Sequence, residues 1–335
     1  MKALYILFLV ICLVAQLVVT LPNADREMGR VADICSNAAP GYYEPVTVAP
    51  YDSHFDKQWA LSRIMVPQAW QVSSGGPNVI IAVLDTGIDC RHEDLVGKVV
   101  AEVNYADSPT TYDLFGHGTH VAGIIAAAKN KLGVVGVAYD CLLMNVKIAD
   151  EGGSWRSSAA AKGIVWAVDN GAKVINMSLC AKEPSSELEQ AINYAWGRGA
   201  VVVCAAGNNA SSKPTYPAYY TNCIAVAATE ANDAVASWSN YGEWVDVAAP
   251  GVHIYSTLPL NDYGYKSGTS MAAAYVSGVA GLLYAVVRDV NGNGLVNDEV
   301  REAIERHCDE LGIKGLARGR INALQALTYA LSSLR

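Results

Sequence analysis

Short, unbroken apolar runs recur along the chain: "VIIAVL" (79–84), "LLMNVKI" (142–148), "AKVINMS" (172–178), "AVVVCAA" (200–206) and "CIAVAA" (223–228). Stretches of helical period, "SSAAAKGIVWAVDNG" and "SSELEQAINYAWGRG", separate several of them and end at glycine, as helix C-termini often do. Continuous apolar strands alternating with helices predict a parallel sheet covered on both faces, an α/β/α sandwich. Ligands in such sheets gather beyond the carboxyl ends of the strands. A further segment, "KSGTSMAAAYVSGVAGLLYAVV" (266–287), reads as a core helix that carries a glycine and two hydroxyls at its mouth.

The N-terminus has a different pattern. "MKALYILFLVICLVAQLVVTLPNA" is one Lys followed by an apolar run and a Pro-Asn-Ala break, the form of a secretory signal over 1–24; an uncleaved anchor is the alternative. Residues 25–50 are Pro-rich and aperiodic and read as a leader or linker. Residues 51–335 then form one domain. The 335 residues are 52% hydrophobic with a net charge of −8, which speaks against a nucleic-acid or anionic-membrane partner. Export makes disulfides possible, but no cysteine spacing resembles a zinc pattern and no pairing follows from the sequence. Cys204 and Cys223 fall in strand-like runs and read as small buried hydrophobes.

Chemistry-bearing residues sit where strands end. Asp85 closes the first apolar run in "LDTGID"; alone it is as good a turn residue. His117 enters a small-residue helix in "FGHGTHVAG", with His120 one turn on and no glutamate of an HExxH zinc motif beside it. Asn208 follows the run at 200–206, and Ser270 opens the core helix. Each has an ordinary structural reading. Together they supply a nucleophile, a base, a carboxylate to fix the base's tautomer and an oxyanion donor.

These residues lie in the order Asp85, His117, Ser270, which is also the order given for subtilisin. The motifs "DTGID", "GHGTHVAG", "NMSL", "AAGN", "YPAYY", "WVDVAAPG" and "SGTSMA" occur in family order. On them the chain resembles the subtilases, subtilisin-like serine endopeptidases, and within these the thermitase branch. The resemblance implies that Asp85 orients His117, that His117 is the general acid/base and that Ser270 attacks. Asn208 and the Ser270 amide would form the oxyanion hole, and His120 would be structural. It also implies a substrate strand paired between Gly153, Ser154 and Trp155 on one side and Ser178, Leu179 and Cys180 on the other. Ser178, Leu179, Ala205, Ala206 and Gly207 would wall a pocket for a large hydrophobic or aromatic P1 residue. Cys180 stands where the family usually has glycine, and Ala274 and Tyr275 where it has proline and histidine.

A structural calcium ion is implied at Asp52, Asp94, Asn130 and the carbonyls of Ala128, Leu132 and Val134, an oxygen set suited to that ion. A second loop, "DVNGNGLVNDEV" (289–300), has EF-hand spacing at Asp289, Asn291, Asn293 and Gly294, but Val300 takes the closing Glu position. Asp298 and Glu299 there read rather as first-turn acids of the next helix. The resemblance implies protein or peptide substrates and a secreted, monomeric enzyme, and the stretch before Asp52 is short for the family's inhibitory prodomain. Rival readings are an α/β-hydrolase, whose acid and His would have to follow Ser270, and a subtilase turned binding module.

Overall fold

All five apolar runs become neighbouring strands of one sheet. In the computed structural model, which describes residues 52–312 and 318–332, the strands are β1 (Ile80–Asp85), β2 (Val99–Asn104), β3 (Leu142–Lys147), β4 (Val174–Met177), β5 (Val201–Ala205), β6 (Cys223–Thr229), β7 (Val247–Pro250), β8 (Ile254–Leu258), β9 (Asp262–Lys266), β10 (Cys308–Asp309) and β11 (Arg320–Ile321). The helices are α1 (Trp59–Arg63), α2 (Val66–Ala69), α3 (Gly118–Ala126), α4 (Ser157–Asp169), α5 (Ser186–Gly197), α6 (Thr269–Tyr284), α7 (Asn297–Arg306) and α8 (Ala323–Ser332). The readings of 1–24 as a signal and 25–50 as a linker lie outside the described residues.

The main sheet runs β10-β11-β7-β6-β5-β4-β1-β3-β2, and β8-β9 form a separate hairpin. Every pair in the main sheet is parallel except β10–β11. Side chains alternate between its two faces, which explains why the central runs are apolar throughout. From β1, Ile81 and Val83 join the core shared with α3, α6, α7 and α8. Ala82 and Leu84 join the core shared with α4 and α5. The predicted three-layer α/β/α architecture is the one observed.

The central helix α6 is buried from Thr269 to Leu283. A Cβ on Gly278 would meet Val137 Cβ at 2.5 Å, so the small residues of this helix permit close packing, as their pattern suggests. Gly268, at the mouth of α6, has a φ of 163°, ordinary extended backbone. Ala274 lies beyond the first turn of α6, and with Tyr275 it is fully packed in the core. Among the described residues no helix is long and apolar enough to cross a membrane.

Candidate active site

Because the central strands are parallel, their carboxyl ends share one edge. Asp85 ends β1, Ser178 follows β4 and Asn208 follows β5. Two hydrogen bonds bring the mouth of α6 to that edge. Ser270 Oγ donates to the Ser178 carbonyl at 3.0 Å, and Thr269 N donates to Asn208 Oδ1 at 2.9 Å. The α3 helix, with His117 as its N-cap, packs against α6. Asp85 and, with the mouth of α6, Asn208 and Ser270 thus lie along one edge of the sheet.

His117 Nδ1 is 2.7 Å from Asp85 Oδ1. That oxygen also accepts from Thr86 N, while Asp85 Oδ2 is buried without a partner. With Nδ1 holding its proton toward a carboxylate, Nε2 is left as the basic nitrogen. Burial opposes the charged imidazolium, but the charge and hydrogen bond of Asp85 outweigh it, and the pKa of His117 is raised. The Ser270 hydroxyl points to the Ser178 carbonyl here; a proton transfer to His117 would require it to turn about its side-chain torsion. Hydrogen bonds of this kind often tighten only with substrate bound.

Asn208 is held by its oxygen, which also accepts from Thr269 Oγ1 at 3.0 Å. That assignment leaves Nδ2 free to donate. A Cβ on Gly268 would lie 3.5 Å from Asn208 Nδ2 and 3.7 Å from Ser270 N. The missing side chain thus keeps open the space between two N–H donors, where an oxyanion would be received.

His120 is not at this edge. It is fully buried, and Nε2 donates to the carbonyls of Ile254 and Gly264 at 3.1 Å each. Burial lowers its pKa to about 3. It is a neutral tie between α3 and the β8–β9 hairpin, as its position in the pattern suggests.

The substrate-lining residues are only partly as expected. Residues 150–154 form a closed turn. Gly152 N and Ser154 N donate to Asp150 Oδ1, and Gly153 N donates to the Asp150 carbonyl. The amides of Gly153 and Ser154 are therefore spent as donors, and Trp155 pairs back to Ala149. Ala205 and Ala206 bury their side chains in the core and can offer only backbone to a pocket. Ser178 Oγ accepts from Asn176 Nδ2 and donates to the Ser270 carbonyl, each at 2.9 Å. Leu179 and Cys180 are half-exposed, and Gly207 is buried next to Cys180.

Four supporting residues were not singled out by the sequence. Buried Asp113 accepts from Thr86 Oγ1, Gly116 N and Thr119 N, fixing the loop that carries His117. Lys147, fully buried, donates to the carbonyls of Thr86 and Tyr112. Asn176 links Ser178 to Ser277. Asn240 donates to the Ala206 carbonyl and accepts from Asn209 N and Ser211 N, holding the loop of Asn208. The only hints in the sequence are Lys147 and Asn176, each inside an otherwise apolar run.

Asp52, Asp94 and Asn130 also assemble. Asp94 Oδ2 accepts from Val134 N and Tyr263 Oη, and Oδ1 from Asn130 Nδ2 at 3.0 Å. Asp52 Oδ1 accepts from Lys131 N, and its Oδ2 is buried with no partner. Burial raises the pKa of both carboxyls, and the charge of Asp94 adds to the rise at Asp52. Two buried, adjacent carboxylates with an orphaned oxygen fit a cation. The described residues contain no cluster of three or more His, Cys, Asp or Glu suited to a metal, so amide and carbonyl oxygens would have to complete the shell. In the loop at 289–300, Asp289 caps Gly292 N and Gly294 N, α7 starts at Asn297 with Asp298 and Glu299 in its first turn, and Val300 is core. The helix-start reading accounts for these contacts.

Residues 76–320 match the model of the subtilase family. The chain belongs to the subtilase family. It is a serine endopeptidase acting on proteins or peptides. It is 45% identical over 285 residues to thermitase of Thermoactinomyces vulgaris, covering 84% of this chain and 99% of the relative. Subtilisin Savinase of Lederbergia lenta is 42% identical over 266 residues, covering 79% and 96%. A solved protease of Pseudoalteromonas arctica superposes with a TM-score of 0.76 at 30% identity, covering 84% of this chain and all of its own. Of the rival readings, the α/β-hydrolase falls with this family assignment.

Proposed function

We propose that this subtilase hydrolyses peptide bonds through an Asp85–His117–Ser270 triad, with Asn208 Nδ2 and the Ser270 amide receiving the oxyanion. The observation that carries the reading is the 2.7 Å His117–Asp85 contact at the strand edge to which Ser178 and Asn208 tie the mouth of α6. Ser270 Oγ attacks the scissile carbonyl while His117 Nε2 takes its proton. The tetrahedral oxyanion collapses, His117 returns the proton to the leaving amine, and an acyl-enzyme remains. Water, deprotonated by the same imidazole, then attacks and regenerates Ser270. Asp85 fixes the tautomer and stabilises the imidazolium, consistent with the raised pKa of His117.

Substrate runs along Ser178–Cys180 and past Trp155, with an apolar P1 side chain between 178–180 and 205–207. Calcium, when bound by Asp52, Asp94 and Asn130 with the carbonyls of Ala128, Leu132 and Val134, supplies structural charge rather than chemistry. The apolar N-terminal run directs the enzyme out of the cell, where it works as a monomer. Treatment with a fluorophosphonate followed by peptide mapping tests the nucleophile: the adduct is expected on Ser270, and an adduct on another serine with Ser270 free contradicts the reading.

A further inference from the structure

We propose that Cys180 sets an upper size limit on the P1 side chain, so that this protease cleaves after small apolar residues in preference to aromatic ones. The inference rests on the reading of 178–180 and 205–207 as facing walls of the P1 pocket, and it replaces the large-P1 expectation drawn from the family resemblance.

The two walls differ in kind. Gly207 has φ +103°, and a Cβ there would come within 2.6 Å of Asn240 Nδ2. This wall is backbone alone, and it cannot recede, because Asn240 bonds to Ala206, Asn209 and Ser211 around it. The facing wall carries a side chain. Cys180 Sγ lies 3.3 Å from the point a Gly207 Cβ would occupy. The thiol therefore reaches across to the opposing backbone instead of standing out in solvent. A ring slipped between two surfaces needs about 3.5–4.0 Å of clearance on each of its faces, and at this height that space holds sulfur. A methyl group requires far less depth.

The backbone beneath Cys180 is fixed too. Ala181 N donates to the Tyr216 carbonyl at 2.7 Å, and Tyr216 N to the Ala181 carbonyl at 2.9 Å. Relief for a large P1 group would have to come from the thiol's own torsion. Burial pushes the Cys180 pKa up, so the group is a neutral space-filler and not a second nucleophile.

The test is a set of peptide p-nitroanilides that differ only at P1 (Ala, Leu, Phe), assayed on wild type, Cys180→Gly, Cys180→Ala and Cys180→Ser. The ratio of kcat/KM for Phe over Ala should be below one in wild type. It should rise by about tenfold or more in Cys180→Gly, the scale on which one small group discriminates in an apolar pocket. Cys180→Ala should fall between, and Cys180→Ser, nearly the same size, should keep the wild-type ratio. A ratio in Cys180→Gly and Cys180→Ala within twofold of wild type overturns the proposal, as does a rise in Cys180→Ser equal to that in Cys180→Gly. Fluorophosphonate labelling of Ser270 in each protein separates the two levels. Labelling intact with an unchanged ratio sinks the size limit alone, whereas labelling absent from Ser270 in wild type sinks the catalytic reading beneath it.

Discussion

Asn208 keeps its amide nitrogen available because Thr269 occupies its oxygen, through both backbone and hydroxyl. The same economy of space governs Gly268, whose absent Cβ would lie within 3.7 Å of both proposed oxyanion donors. Since its backbone is extended, alanine fits there without strain. Gly268→Ala should therefore leave thermal stability unchanged and lower kcat. The drop should approach the roughly hundred- to thousandfold cost of losing one oxyanion donor. Melting curves and kcat on one peptide amide check this. A loss of stability with kcat preserved would mean that the glycine serves the fold and not the site. The charge and hydrogen bond of Asp85, outweighing burial, raise the pKa of His117, so its neutral, basic form is reached at a higher pH than without that partner.

At the scale of elements, the hairpin β8–β9 is fastened to α3 by the His120 imidazole together with Ser256 Oγ and Thr257 Oγ1, which donate to the carbonyls of His120 and Thr119. His120 has a pKa near 3 in the folded state, against about 6.5 when unfolded. Between those values the unfolded chain binds a proton that the native chain does not. Stability is therefore fully present above about pH 6.5 and is lost as pH falls toward 3. His120→Gln should show a shallower loss over that window, with a lower starting stability from the altered hydrogen bonds, about 1–3 kcal/mol. Urea melts at several pH values measure both. Equal slopes in the two proteins would rule out His120 as the titrating group. The elements themselves were unequally legible. The five central strands announce themselves because both faces are buried. β2 does not, since exposed and partly buried positions alternate along it, and β10 and β11 are two residues each. Asp113, Lys147, Asn176 and Asn240 could not be read as site supports, because most of their partners come from segments that only the fold brings near.

At the scale of the whole molecule, the N-terminal end of the described chain is joined to the loops after β1 and α3 through Asp52, Asp94 and Asn130. A cation bound only by the native state raises stability by RT ln(1 + [L]/Kd). Millimolar calcium should raise the melting temperature of wild type, EDTA should lower it, and Asp94→Ala should abolish the difference. Melting that ignores calcium in wild type would remove the ion from the account. This part of the site was legible as a resemblance, and the orphaned oxygen of Asp52 gives it a physical reason. The turnover of a peptide amide by Ser270→Ala compared with wild type tests the central claim most directly. Ser270 is buried at the start of a helix whose packing does not use its hydroxyl except toward the Ser178 carbonyl. The variant should keep its melting temperature within a few degrees and lose kcat by about a millionfold, the scale seen for removal of a triad serine. A folded variant that retains wild-type turnover would contradict the account.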